Sequence, residues 1–380
     1  MTVILNILII IVILGIVILF HELGHLIACK LTKVYVEEFA IGMGPKIYSK
    51  KIGETLYSIR AFPIGGFNKI RGEEYDEEKE EDKDSRSLSN QKPGVKLFII
   101  LSGVVMNVLL AAIIFYSLLI SNSFKFGLDP KFENFEPIVG VMSKEIIDED
   151  VRYEGIVDDS PAMLAGLPEE GVIRSIDGKE VLFSSDVLSF VEERNTEEIM
   201  IKICVEENCQ DYFVNVSEEG RIGIMIYQNY FPFLEYTGWS RPFVGFAHVL
   251  NWVKIFGVAI GDIFLQAAET GDYEEVAMSV SGPVGLYVII DYLRDLGWFP
   301  LVAIIGDISL SIGIINLLPI PALDGGRAVM ILTEIVIRKP LNKKFEAWAI
   351  HISFILLLLL MVVILFKDVF YFERIKELFN

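Results

Sequence analysis

The chain has 380 residues, 53% of them hydrophobic, and a formal net charge of −19. So much apolar content is more than one water-soluble domain buries, and the length leaves room for a membrane-embedded part with a soluble insert. The acidic balance argues against a nucleic-acid partner, because a phosphate backbone needs a basic face and none stands out.

From Val3 to Phe20 only Asn6 and Gly15 interrupt the apolar residues, and apolar character resumes at 26–29. At about 1.5 Å per residue, such a helix crosses a hydrocarbon core of roughly 30 Å, so a first span is expected within residues 1–31. His21, Glu22 and His25 lie at its end. Two histidines four apart on a helix share one face, about a turn from each other, which is the separation a tetrahedral zinc ion needs from two imidazoles. Glu22, beside the first, is placed to take a proton from a zinc-bound water. In a soluble helix such a pair is more often an ordinary surface or core pair. In lipid, three ionisable side chains are costly unless paired or metal-bound, which makes the trio a functional site by default. No Lys or Arg precedes the run, and cleaving it would remove the site, so a removable signal peptide is not expected.

Between Lys30 and Lys96 the sequence holds thirteen Lys or Arg. The positive-inside rule then places residues 32–94 in the cytoplasm, the N-terminus outside, and a second span at 95–121. Within the loop, β-rich segments at 34–36, 46–48 and 56–59 are broken by Gly42, Gly44, Gly53, Gly65 and Gly66, the pattern of a small sheet of hairpins. An exposed strand edge there can pair with an extended peptide, which makes Gly42, Gly44, Gly65 and Gly66 candidates for substrate binding; a purely structural hairpin is the alternative. The acidic run 73–84 reads as a solvated segment without chemistry.

Residues 122–228 change to the composition of a soluble α/β module: a helix at 162–167, a turn at Asp177-Gly178, a helix at 185–194, and strands at 199–205 and 212–216. Asp159-Ser160-Pro161-Ala162 through Leu167, followed by Ile173 to Gly178, resembles the second half of a PDZ domain, with Glu170-Gly171 where Gly-Asp is usual. Cys204 and Cys209 flank a turn between two strands, and either a disulfide or two free thiols fits their position. In the segment 229–296, residues 239–265 are apolar but carry Arg241, His248, Lys254 and Asp262, as an amphipathic helix on the outer membrane surface would. A crossing there would reverse everything downstream, whereas Arg327, Arg338, Lys339, Lys343 and Lys344 favour an internal loop at 327–345. The third span is therefore expected in 297–326 and the fourth, with the tail, in 346–380, leaving both termini extracytoplasmic.

A zinc ion with two histidines and a reactive water needs another protein ligand, and His248 and His351 qualify by residue type alone. Asp324 is a further candidate. It follows Pro319 and Pro321, which break the third span at membrane depth, and broken backbone is tolerated there where it lines a cavity.

With Gly103 and Asn107 in the second span, the glycines of the loop, the PDZ-like insert and the stretch from Asn316 to Gly325, the sequence resembles the site-2 protease family of intramembrane zinc metalloproteases. The resemblance implies a polytopic α-helical membrane protein of about four transmembrane helices, with a cytoplasmic membrane-associated β-hairpin sheet and an inserted extracytoplasmic PDZ domain. It implies one Zn2+ per chain bound by His21, His25 and Asp324, with Glu22 as general base. Asn107 and Asn316 would help to hold the substrate backbone, interhelical hydrogen bonding being their alternative role. The implied reaction is cleavage of a transmembrane segment in a single-pass protein of the cell (inner) membrane, such as an anti-sigma factor or a remnant signal peptide, after trimming by an upstream site-1 protease. The implied surroundings are membrane lipid. Two other classes remain: a non-catalytic membrane scaffold with a peptide-binding PDZ insert, and a metal or proton transporter using Asp307. For that aspartate a proton relay and a structural pairing, with Ser309 or Ser311 for instance, are equally open.

Overall fold

The first helix, α1 (Thr2–Thr32), follows from an aliphatic stretch interrupted before Phe20 only by Asn6 and Gly15, and stops where Lys33 takes a positive φ of 61° and Val34 N–H donates back to Cys29 O at 2.9 Å. This belongs to a computed structural model of the chain, which describes residues 2–73, 84–192, 194, 197–205, 208–217, 220–227, 229–271, 273, 276, 280 and 282–372. Apart from its end positions, Glu73 and Asp84, the acidic run lies outside the described residues. The chain divides into two compact units, Met1–Ser121 with Pro242–Asn380, and Asn122–Arg241.

In the first unit, α1 is followed by two long strands, β1 (Val36–Ile52) and β2 (Thr55–Ile70). The separate short strands expected in the loop are parts of these two. Gly42, with φ of +83° and a position where a Cβ would sit 2.4 Å from Phe62 O, lets β1 bend and pair twice. Residues 38–41 consequently lie between 66–69 and 56–59, while 46–52 pair with 55–60. Glu38 pins this sheet from within. Burial alone would raise its carboxyl, but hydrogen bonds from Ser58 and Arg60 and the Lys46 ammonium hold it down at about 2.

Helix α2 (Pro93–Ser121) opens with proline at its first position and packs on α1 through small residues. A Cβ on Gly24 would meet Ser102 O at 2.3 Å, so the two backbones touch there. After the second unit come α5 (Val244–Thr270), α6 (Pro283–Asp295), α7 (Trp298–Asn316), α8 (Asp324–Ile337) and α9 (Lys343–Phe370). Asn6, the polar break in α1, has a partner: its Nδ2 donates to Asp291 Oδ1 at 2.7 Å, and Arg294 donates to its Oδ1 at 2.6 Å. The other end of α6 is capped by the carboxylate of Asp368, which accepts from Gly282 N at 2.9 Å and Gly285 N at 3.0 Å.

Among the described residues, five helical stretches are long and apolar enough to cross a membrane: Val3–Thr32, Pro93–Ser121, Gly238–Thr270, Trp298–Asn316 and Lys343–Phe370. Gly238–Thr270 includes the helix expected on the membrane surface. Its His248 does not face water; it is fully buried with Asn251, while Phe246, Leu250, Phe256 and Phe264 are exposed. The segment 327–345, expected as a loop, begins inside α8, because 328–337 is apolar enough to pack and the helix ends only at Arg338, with φ of 57°.

The second unit holds β3 (Lys125–Gly127), β4 (Val141–Ile146), β5 (Val151–Ile156), α3 (Pro161–Leu164), β6 (Glu170–Ile176), β7 (Lys179–Glu180), α4 (Ser184–Glu192), β8 (Glu198–Val205), β9 (Asn208–Asn215), β10 (Ile224–Ile226) and β11 (Tyr230–Glu235). One sheet runs β10-β5-β6-β8-β9 with β7 added to β6, and another runs β3-β11-β4. Ile199, Ile201 and Ile203 alternate inward along β8 and meet Val151, Tyr153, Ile173 and Val214 in one core, the period-two pattern of a half-buried strand. Ser160 caps α3 by accepting from Met163 N. Cys204 and Cys209 face each other in the β8–β9 register and form a disulfide. Cys29, in the first unit, is free and buried.

Candidate metal centre

Helical spacing places His21 and His25 one turn apart on α1, and α2 fixes the second. His25 Nδ1 faces Ile99 O at 2.8 Å, so it carries the proton and Nε2 is left with its lone pair free to bind. Asp324 arrives from the far end of the sequence. Pro319 and Pro321 end the helical run after Asn316, and the chain turns back to start α8 at Asp324. Gly325 and Gly326 permit that turn: a Cβ on either would lie within 2.2 Å or 2.1 Å of the Leu317 or Ile320 carbonyl oxygen.

The three side chains converge. His21 Nε2 lies 3.2 Å and His25 Nε2 3.5 Å from Asp324 Oδ2, and the two nitrogens are 3.3 Å apart. Bonds of roughly 2.0–2.1 Å at a tetrahedral angle hold neighbouring ligand atoms about 3.3 Å apart, so this donor set fits zinc in number, type and spacing. Room is kept by Gly103 on α2, where a Cβ would stand 2.4 Å from His25 Nε2 and 2.8 Å from His21 Nε2. A cavity of about 200 Å³ adjoins the cluster, lined among others by Glu22, Asn68, Asp324 and Arg327. Arg327 forms an ion pair with Glu73 at this cavity.

Asn107 is fully buried on α2. Its backbone oxygen accepts from Ser309 at 2.9 Å, whereas neither atom of its side-chain amide has a partner among the described residues. Asn316 ends α7, half-buried, and neither asparagine is among the cavity-lining residues. Gly66 lies against the site, since a Cβ there would come within 3.5 Å of Glu22 Cγ. Gly42, Gly44 and Gly65 instead sit at the bend of the sheet, against Phe62 and Met43. The two other histidines lie elsewhere: His248 packs between Phe115 and Trp252, and His351 is exposed on α9 with Nδ1 on Ala347 O. Asp307 is bonded by Trp252 rather than by a nearby serine, and Ser309 turns to Asn107 instead.

Asn68 was not anticipated from the sequence. It donates from β2 to Glu22, a pairing across 46 residues that no local pattern marks, although it lies two residues beyond Gly66 on the same strand face.

Two imidazoles, a carboxylate and an adjacent glutamate around a cavity among lipid-length helices define a membrane-embedded metallohydrolase. The chain belongs to peptidase family M50, whose family profile matches residues 9–360. It is an intramembrane zinc metalloprotease, a multi-pass membrane protein. A Clostridium acetobutylicum protein, provisionally named a zinc metalloprotease, is 33% identical over 371 residues, covering 96% of this chain and 98% of its own. A Fusobacterium nucleatum protein with the same provisional name is 32% identical, covering 95% and 98%. The regulator of sigma-W protease RasP of Bacillus subtilis is 27% identical over 438 residues, covering 94% and 97%.

Proposed function

We propose that this protease holds one zinc ion per chain through His21, His25 and Asp324 and, with Glu22 as general base, cuts transmembrane segments of single-pass membrane proteins. The observation that carries the reading is the convergence of the three donor atoms, 3.2–3.5 Å apart, beside Glu22 within a helix of membrane-crossing length. A bound zinc ion supplies Lewis acidity, lowering the pKa of water and polarising a carbonyl. Glu22 takes the proton of the attacking water on its carboxylate and returns it to the leaving amine. The substrate helix must first unwind, because its carbonyls are hydrogen-bonded within it. The β1–β2 sheet, bent at Gly42, Gly44 and Gly65 and close to Glu22 at Gly66, takes up the freed strand by edge pairing. Asn107 and Asn316 hold the substrate backbone, and the buried amide of Asn107, without a partner among the described residues, supports that role, since such a group is costly until a ligand satisfies it.

The topology consistent with this chemistry has four crossings, α1, α2, α7 and α9, with both termini extracytoplasmic in the cell's inner membrane and α5 packed against α2 without crossing. The Cys204–Cys209 disulfide supports an oxidising, external location for the second unit. That unit acts as a PDZ domain, a reading supported by its five-strand sheet path with two short helices, and it screens substrates that have not been trimmed by an upstream site-1 protease. Anti-sigma factors and remnant signal peptides are the substrate classes, the first in keeping with the name of the Bacillus subtilis relative.

The experiment compares detergent-purified wild type and Glu22→Gln on a tagged single-pass substrate, with zinc measured on both. Cleavage falls by about 100-fold or more while zinc is retained, as expected for loss of a general base. Robust turnover by the variant would sink the assignment.

A further inference from the structure

We infer that Asn68 is the positioning residue of the base, holding the Glu22 carboxylate in one orientation at the metal centre; this rests on the reading of Glu22 given above. Gly66 and Asn68 share one face of β2, and that face lies against α1. The absence of a side chain at Gly66 lets the strand pass close to Glu22, since a Cβ there would already be 2.9 Å from Ala40 O and 3.5 Å from Glu22 Cγ. One step along the same face, Asn68 Nδ2 donates to Glu22 Oε2 at 2.8 Å and to the Glu22 backbone oxygen at 2.6 Å.

Both Glu22 atoms are acceptors, so chemistry decides which end of the amide faces them: the NH2 group, with one hydrogen for each. The carboxylate is thereby tied, through a single planar group, to the backbone of its own helix. Oε1 is the oxygen left for the proton of the attacking water. Asn68 Oδ1 is buried without a partner among the described residues, so the hydrogen bonds of this side chain all go to Glu22. A glutamate has three side-chain torsions, and a misplacement of about 1 Å at a reacting group can cost roughly 100-fold in rate.

The test uses full-length, detergent-solubilised Asn68→Asp and Asn68→Ala, each measured for zinc content, for kcat and KM on a single-pass substrate, and for affinity toward a small hydroxamate. Aspartate has the shape of asparagine, but its carboxylate cannot donate and it repels Glu22. A packing role therefore leaves the kcat and hydroxamate affinity of folded, zinc-loaded Asn68→Ala, which adds no charge, near wild type. The positioning role lowers its kcat by about 10- to 100-fold, with KM and zinc content within about twofold. The hydroxamate hydroxyl bonds to the base, so Asn68→Ala and Glu22→Gln each weaken binding, and the double variant binds no worse than Glu22→Gln alone. Wild-type kcat in either variant, zinc lost in step with activity, or additive losses of hydroxamate affinity would each overturn the inference. Full cleavage and full hydroxamate affinity in Glu22→Gln would instead overturn the reading of Glu22 as base, and the inference with it.

Discussion

Two groups of polar side chains are buried among the membrane helices, and they are built in opposite ways. At the metal centre, His21, His25 and Asp324 turn their acceptor atoms toward one another beside a cavity of about 200 Å³. Around Asp307 the neighbours are aromatic rings, and its Oδ1 has no partner among the described residues. Its carboxylate accepts a hydrogen bond from Trp252, His248 stacks on the Trp252 ring at 5.4 Å, and Phe115 stands edge-on to His248 at 4.6 Å. Ionisable groups are costly in lipid in both places. Converging lone pairs beside open volume are at rest with a cation between them, whereas a cluster made of rings from α2 and α5 and a carboxylate from α7 holds those three helices together. The open volume and the direction of the lone pairs mark the reactive site, and the presence of charged residues does not.

The contrast breaks most visibly at its two aspartates. Asp324→Asn preserves shape but replaces a carboxylate ligand by a neutral amide. Zinc per chain after dialysis falls at least by the roughly 10- to 100-fold that loss of a mere outer-shell partner costs, and cleavage falls with it. Unchanged metal content would mean that the ion is held by another set of residues. Next in size is Gly103→Ala, which tests the room itself. The added methyl would lie 2.4 Å from His25 Nε2, so either His25 leaves Ile99 O or α2 moves off α1. Overpacking of this kind costs about 1–3 kcal/mol. We expect zinc occupancy and cleavage to drop about tenfold, with helix content by circular dichroism unchanged; full activity would show that the opening is larger than it looks.

His21, Glu22 and His25 were legible because helical spacing alone decides which side chains share a face. Asp324 was legible only through the prolines that break the third span and the family pattern around them, since nothing local says which distant carboxylate comes back to the site. Asn68 was invisible for the same reason in reverse: its partner is 46 residues away, and the bond depends on how closely a strand passes a helix. The sequence offers Asp307 the serines of its own helix as partners, but a carboxylate between helices bonds whichever donor the neighbouring helix brings, here the Trp252 indole. The long helices announced themselves by length and hydropathy. Helices α6 and α8 did not, because α6 depends on capping by Asp368 and pairing with Asn6, and the basic residues that follow α8 masked its apolar stretch.

The smallest effect is the sharpest test of the contrast. Asp307→Asn removes a titratable group from the membrane interior while keeping an oxygen to accept from Trp252. If the Asp307 group only joins helices, zinc content stays the same and cleavage stays within about twofold, because no atom of this group lines the metal cavity. Asp307→Ala removes the carboxylate that accepts from Trp252, at a cost of about 0.5–1.5 kcal/mol that shows as a lower melting temperature, again with zinc retained. A carboxylate that relayed protons would behave differently: the isosteric amide cannot carry a proton, so Asp307→Asn would abolish function while Asp307→Ala did no worse. Loss of cleavage in Asp307→Asn with zinc intact would therefore merge the two clusters into one working unit, and their difference in shape would no longer separate chemistry from packing.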